Sequence, residues 1–382
     1  MEKILNDKYK NIIITVLLLI IALVISFFTG REFYNFRTYQ QEFIVGANVT
    51  RVEKFSDYNP LLKGTVGDAD IFVIEGAKPG PSLLILGGTH PNEPSGQLTS
   101  VLFLENIEVS QGTVYIITEA NRSAFSATNP QEGSPMFYEI TTPTGLRRFK
   151  YGSRATNFVD QWPNPDIFVH PASGQRLSNQ DTRNLNRSYP GRKDGYYTER
   201  VAYAITQLII ENNITMTIDL HEASPEYLTN NAIVAHPGEA MNVASHAYLF
   251  LELMGLEIKI ESSPENLHGL THRELGVYTS TLAFLCETSN ASQGKIHGRF
   301  TEQLIVTGQD KFYQKAEQLK ILYASPVNIS ERVARHTAAI LQIITSYNSI
   351  FNQANEEGKS LLVSNIPSYD NIMLHGVGKY LK

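Results

Sequence analysis

The most marked pattern in the chain is a continuous block of apolar residues rather than a periodic one. Residues 12–28 read IIITVLLLIIALVISFF, carry no charge, and have Thr15 and Ser26 as their polar positions. With one residue added on each side (11–29) the run approaches the ~20 residues a helix needs to cross ~30 Å of hydrocarbon. It ends in Phe27-Phe28-Thr29-Gly30, without the small-residue site that follows a secretory leader. We read it as a retained anchor, with a cleaved signal as the alternative. Lys3, Lys8 and Lys10 precede it and Arg31 and Arg37 follow. This slight positive-inside bias puts residues 1–10 in the cytoplasm and the rest of the chain beyond the helix outside it. Residues 30–43 read as a polar-aromatic tether.

Beyond the tether the pattern shortens. Apolar, β-rich runs at 71–75, 82–88, 113–119, 215–220, 231–236 and 282–287 alternate with stretches of helical spacing, which predicts an α/β domain with a largely parallel sheet covered by helices. A helix is expected to begin near Pro94, since proline suits the first helical turn, with Leu98, Val101 and Leu102 at i, i+3, i+4. Another is expected from Ile329, capped by Asn328 with Glu331 three residues on, and with Val333, Ile340, Leu341 and Ile344 on one face. Residues 126–182 are rich in Pro, Gly, Ser, Asn and Thr and hold the single tryptophan, Trp162. An irregular stretch of that length inside a compact domain points to a functional excursion, here the expected rim of a pocket. We take 44–355 as one large domain and 356–382 as a tail or edge element.

Charge and composition narrow the chemistry. The 382 residues carry 32 basic and 38 acidic side chains, a net charge of −6, which argues against nucleic acid as a partner because such affinity comes from basic groups neutralising phosphates. The single cysteine, Cys286, excludes an intramolecular disulfide and any multi-cysteine metal cluster. It lies in an apolar run and reads as a small core residue. A metal, if held, is held by nitrogen and oxygen.

The strongest metal-ligand pattern is Gly87-Gly88-Thr89-His90-Pro91-Asn92-Glu93, where a histidine and a glutamate three apart follow an apolar strand. Ten histidines and 38 acids in 382 residues give about one such spacing by chance, and the chain has a second, His236 and Glu239. Position separates them. Asp219-Leu220-His221 ends one predicted strand, Glu287 ends another, and His90 with Glu93 sits just past a third. In an open α/β sheet ligands bind at the carboxyl ends of the strands, so these segments converge on one edge; His236 remains the runner-up because it also follows a strand. Asp219 is a candidate partner to orient His221, set against the expectation that strand neighbours point to opposite faces. A further segment, residues 181–191 (DTRNLNRSYPG), puts Arg183 and Arg187 four apart beside Asn184 and Asn186. Guanidinium forks match carboxylates, so the segment suits an anionic substrate, or else forms a surface salt-bridge cluster. His268 and His272 flank Gly269 and read as loop residues, and Glu222, in His-Glu-Ala-Ser-Pro, lacks the H-E-x-x-H pattern and takes no catalytic role.

In order, H-x-x-E, R-x-L-N-R-x-Y-P-G, D-L-H and a strand-terminal glutamate resemble the zinc carboxypeptidase superfamily, most of all its succinylglutamate desuccinylase/aspartoacylase branch, over roughly residues 82–294. The resemblance implies a three-layer α/β/α fold around a mixed, mostly parallel sheet with one catalytic zinc. It implies that His90, Glu93 and His221 bind that zinc and that Glu287 is the general base and acid. Asn186 and Arg187 would hold a substrate carboxylate, and Arg183 would face the reacting carbonyl. Three positions depart from the pattern. Pro91 replaces a usual glycine, and Asn184 replaces the usual aspartate before Leu-Asn-Arg. The chain after Glu287 reads as mostly helical where the desuccinylases have a β-rich domain, which favours a carboxypeptidase-like architecture.

The function expected from this reading is a membrane-anchored zinc hydrolase that cleaves an amide bond in a carboxylate-bearing substrate, with the lipid bilayer as its other partner. Deacylation of an N-acyl amino acid, or hydrolysis of an ester, is the alternative within the class. The alternative from another class is an anchored binding protein on an inactive hydrolase fold. Such a protein usually lacks a ligand or the base, whereas His90, Glu93, His221, Arg187 and Glu287 are all present.

Overall fold

A computed structural model describes residues 2–129, 132–354 and 356–382, with side chains from residue 7 onward. The chain divides into two compact units, residues 1–41 and 42–382. The first is a single helix, α1 (Glu2–Thr38). At 1.5 Å per residue its 37 residues extend about 55 Å. From Asp7 it is long and apolar enough to cross a membrane, and none of its most apolar window is buried. It runs on through residues 30–38, read above as tether, because that stretch contains no proline to end it.

The second unit is built on a nine-stranded sheet. Its strands are β1 (Arg51–Lys54), β2 (Asp70–Glu75), β3 (Lys78–Leu86), β4 (Glu108–Ile117), then, after two small hairpins, β9 (Met216–Ala223), β10 (Ala232–Ala235), β11 (Lys259–Ser262), β12 (Leu282–Ser289) and β13 (Leu362–Ser364). The hairpins pair β5 (Phe137–Thr142) with β6 (Gly145–Lys150) and β7 (Ile167–Val169) with β8 (Arg176–Ser178). The order across the sheet is β1-β2-β4-β3-β9-β12-β10-β11, with β13 on β4. The four central strands β4, β3, β9 and β12 are parallel, while β2, β10 and β13 join them antiparallel. The α/β class and the mixed sheet are as the sequence implies, and all six expected strands form.

Alternation along the strands divides the core into two layers. Leu83, Ile85, Ile218, Leu220, Phe284 and Cys286 point to one face, against α3 (Pro94–Asn106), α5 (Glu239–Leu253) and α9 (Ile329–Phe351). Leu84, Leu86 and Ala283 point to the other, against α4 (Tyr197–Glu211) and α6 (Thr271–Tyr278). α3 begins at Pro94 as expected, and α9 is capped by the Asn328 side chain, which accepts from the Glu331 N–H. A third cluster joins the first hairpin to α9 and the C-terminal segment through Tyr138, Phe149, Val333 and Ile372.

Two glycines fix the geometry on which the site depends. Gly88 has φ +69°, a left-handed turn that glycine alone adopts without strain, and it redirects the chain as it leaves β3. At Gly96, in the first turns of α3, an added Cβ would lie 2.5 Å from the carbonyl oxygen of Leu220 on β9. That close approach brings the start of α3 against the strand carrying His221. Gly96→Ala is therefore expected to push α3 off β9 and cost about 1–3 kcal/mol, read as a lower thermal midpoint, with weaker metal retention than Gly→Ala at exposed Gly30.

Candidate active site

β9 and β12 are parallel neighbours whose register pairs His221 directly with Glu287. Asp219, His221 and Glu287 share a strand face because positions two apart on a strand point the same way and paired positions on neighbouring strands do too. His90 and Glu93 arrive from the turn between β3 and α3. The ligand atoms of His90, Glu93 and His221 all lie within 4.8 Å of one another, and all three side chains are buried. Glu93 is the junction: its Oε1 is 2.9 Å from His90 Nδ1 and its Oε2 is 2.9 Å from His221 Nδ1.

The outer nitrogen of each histidine is held. His90 Nε2–H donates to Asn184 Oδ1 at 2.8 Å, and His221 Nε2–H donates to Asp219 Oδ2 at 2.8 Å. Both Nδ1 atoms therefore face Glu93, the arrangement by which outer groups fix a ligating imidazole. Asp219 and His221 are two apart, not adjacent, so they share a face and the objection raised from strand alternation does not apply. The Asp219 carboxylate also accepts from the hydroxyls of Thr89 (2.7 Å) and Thr271 (2.5 Å). Asn184, where the related pattern has aspartate, keeps the acceptor but not the charge, and its Nδ2 donates to Asp181.

Charge in this group is set by proximity. Burial works against ionising Glu93, yet His90, His221 and Arg154 hold its carboxyl well below the ordinary range. Burial and then Arg154 push His90 down to about 4. His221 rises well above its ordinary value: burial opposes this, but the Asp219 and Glu93 carboxylates outweigh it. Two imidazole nitrogens and a carboxylate, all buried and oriented from behind, are the donor set of a catalytic zinc site with one position left for solvent, and they fit that ion.

Of the remaining expected residues, Glu287 and Arg187 lie close enough to Glu93 to feel its charge, whereas Arg183 makes no contact with this group among the described residues. Glu287 is half-buried, its Oε2 has no hydrogen-bond partner among the described residues, and burial pushes its carboxyl up to about 8, with His221 opposing. Asn186 Oδ1 accepts from the Thr271 N–H at 2.8 Å, which fixes its amide so that Nδ2 faces away from α6. Arg187 donates to the Asn186 carbonyl at 2.7 Å and lies 3.8 Å from Asp181. Arg183 donates to the Thr156 carbonyl, its Nε is buried without a partner among the described residues, and burial lowers its pKa. It lines a cavity of about 1060 Å³ whose walls come wholly from residues 129–183.

Two residues not anticipated from sequence touch the group. Arg154, from the excursion, places Nη1 2.6 Å from Glu93 Oε1. Glu222, given no role above, donates its backbone N–H to Glu93 Oε2 at 3.0 Å. Its side chain points to the opposite face of the sheet, into a fully buried ion pair with Arg332 of α9 at 2.6 Å, with Asn290 Nδ2 donating to its other oxygen at 2.9 Å. The His236 alternative fails for a topological reason. β10 is antiparallel to β12, with Ala235 beside Phe284 and Ala232 beside Glu287, so its carboxyl end lies at the opposite edge, and Glu239 there is exposed. His268 and His272 do not meet: His268 pairs with Glu274 at 3.0 Å and His272 lies against the Ser263 hydroxyl at 2.5 Å.

The fold and the site together define an α/β protein with a buried His–Glu–His group, able to hold a metal ion, at the carboxyl ends of its central strands. No family model and no curated protein matches the chain. Solved structures do. A succinylglutamate desuccinylase from Silicibacter sp. TM1040 matches at 15% identity over 60% of this chain and 55% of that one, with a TM-score of 0.36. An aspartoacylase family protein from Mesorhizobium loti matches at 20% identity over 58% and 56%, with a TM-score of 0.34. The cell shape determinant protein Csd4 from Helicobacter pylori matches at 13% identity over 81% and 59%, with a TM-score of 0.47. The chain thus spans between 55% and 59% of the length of these structures. The structural matches include the branch that the motifs resemble, at low identity.

His90→Ala is expected to abolish the roughly one equivalent of zinc per chain, measured by elemental analysis after dialysis, while His236→Ala leaves it in place. Zinc affinity in the parent should rise with pH, because binding must displace the proton that Asp219 and Glu93 hold on His221. Arg332→Met alone should cost about 3–5 kcal/mol by stranding buried Glu222. Arg332→Met with Glu222→Met should recover much of that loss in denaturant titration.

Proposed function

We propose that the chain is a membrane-anchored zinc-dependent amide hydrolase acting on a substrate with a free carboxylate, in the manner of a carboxypeptidase. The observation that carries this reading is the pairing of Glu287 with His221 in one register, which sets a carboxylate with a free oxygen beside a three-ligand group. His90, Glu93 and His221 would hold zinc, which supplies a water of lowered pKa, ~7 in such sites, and a Lewis acid for the scissile carbonyl.

Glu287 takes the water's proton and later delivers it to the departing amine. Asn186, through Nδ2, and Arg187 bind the substrate carboxylate and turn binding energy into orientation. Arg183 faces the reacting carbonyl and stabilises the charge that grows there, a contribution of about 2.7–4 kcal/mol for a donor so placed. α1 anchors the protein in the bilayer with the hydrolase unit outside the cytoplasm. An N-acyl amino acid would use the same residues, with its carboxylate likewise on the departing amine, and an ester would differ in its leaving atom.

The test is hydrolysis by full-length protein in detergent, over a panel of dipeptides, tripeptides and N-acyl amino acids with free and amidated carboxyl ends. Cleavage limited to free carboxylates is expected, lost on chelation and restored by zinc. Glu287→Gln should keep its zinc and lose activity by at least about a hundredfold, as for removal of a general base. Unchanged turnover in that variant would remove Glu287 from the mechanism.

A further inference from the structure

A second cavity, of about 410 Å³ and so within the range of small-molecule sites, lies apart from the metal group. None of His90, Glu93, His221 or Glu287 lines it, and it shares no wall residue with the larger cavity. Two segments enclose it: Trp162 and its neighbours from the excursion, and residues 192–200 leading into α4. Trp162, the single tryptophan of the chain, is 76% exposed there. The exposure of so large a ring is not that of a loose loop, because the residues around it are tied down. On one side Gln161 donates through Nε2 to the Thr182 carbonyl and to Asn164 Oδ1, each at 3.0 Å, and accepts at Oε1 from the Thr198 N–H of α4 at 3.0 Å. On the other, Asn164 Nδ2 donates to the Thr182 hydroxyl at 3.0 Å. A fixed frame presents the indole to solvent.

The groups around the indole are polar, oriented and only partly used. Tyr196 is exposed, with its ring edge-on to buried Phe168 at 6.4 Å, and its hydroxyl both donates and accepts. Arg192 commits Nε and Nη2 to Glu199 at 2.7 and 3.0 Å and keeps Nη1. Arg200 donates through Nε to the Gly195 carbonyl at 2.8 Å and keeps both Nη atoms. Each guanidinium is thus fixed at one end and open at the other. Asp194, also exposed, accepts no hydrogen bond among the described residues. The two arginines are balanced by Asp160 and Asp194 in the same walls, so the cavity selects neither a polyanion nor a polycation. A wholly apolar ligand would strip water from these polar groups without replacing it. The ligand that matches is neutral, with a flat face of C–H groups and a rim of hydroxyls. A sugar ring is built that way: its C–H hydrogens meet the electron-rich face of the indole, while its hydroxyls donate to a carboxylate and accept from guanidinium groups.

We propose that this cavity is a carbohydrate-binding site, in which a neutral sugar ring stacks on Trp162 while Asp194, Tyr196 and Arg200 bond its hydroxyls. The site stands independently of the amide-hydrolase reading, since no residue assigned to that chemistry lines it.

Because Trp162 is the single tryptophan, its emission reports this cavity directly. The experiment titrates full-length protein, in a polyoxyethylene detergent that carries no sugar, with cellotetraose, maltotetraose and the tetramer of N-acetylglucosamine. At least one of them is expected to shift the emission saturably, half-maximally at or below about 1 mM. Asp194→Ala, which keeps the indole, should weaken that titration about tenfold, as for loss of a hydrogen bond to a charged group. Calorimetry with Trp162→Ala should show no heat of binding, at an unchanged thermal midpoint because the ring is exposed. No saturable response to any of these sugars, or binding that survives Trp162→Ala, overturns the site. Quenching of Trp162 by brominated lipid in bilayers, with no response to sugar, overturns it in favour of a membrane contact.

Discussion

One buried carboxylate organises the functional end of this molecule. Glu93 has almost no contact with solvent, and an ion in such a place is tolerated only when it is fully paired and hydrogen-bonded. Its two oxygens meet His90 and Arg154 on one side, and His221 and the Glu222 N–H on the other. Two segments far apart in sequence, one carrying Arg154 and one carrying His221 and Glu222, must therefore arrive within hydrogen-bond reach of a side chain on the turn after β3. The left-handed turn at Gly88 and the close approach at Gly96 are the backbone conditions for that meeting.

The group is held from both faces of the sheet. On the α6 face, Asp219 fixes His221 and is itself tied by Thr89 and Thr271, and Thr271 also fixes the amide of Asn186. Asp219, which orients His221, and Asn186 thus share one threonine. On the α9 face, Glu222 is pinned by Arg332 and Asn290, which keeps its backbone N–H aimed at Glu93. The buried pair brings no large gain in stability, since the cost of desolvating two ions offsets their attraction. What it fixes is where the end of β9 lies.

The excursion between β4 and α4 contributes differently. Its described residues form two hairpins, deliver Arg154 to Glu93, and line the large cavity. The two histidines are also unlike in their support, since His221 rests on a carboxylate and His90 on the neutral amide of Asn184. The sequence pattern marked Asn184 as a departure from the usual aspartate; the structure adds that the position orients His90.

The elements and the chemical inventory were legible in the sequence. Periodicity marked β2, β3, β4, β9, β10 and β12 and the starts of α3 and α9, and the motif order singled out His90, Glu93, His221 and Glu287, which the sheet edge brings together. The short strands β1, β11 and β13 and the two hairpins were not legible, because three to six residues with mixed polarity carry too little alternation. Strand direction was not legible either. His236 follows a strand as convincingly as His221 does, and only the antiparallel entry of β10 sends it to the far edge. Arg154 and Arg332 were invisible for the same reason, lying 61 and 110 residues from the carboxylates they meet. Local pattern reports what the backbone does over a few residues, whereas direction and convergence are fixed by packing across the whole sheet. The chain by itself named the donors, and tertiary structure decided which of them share one site.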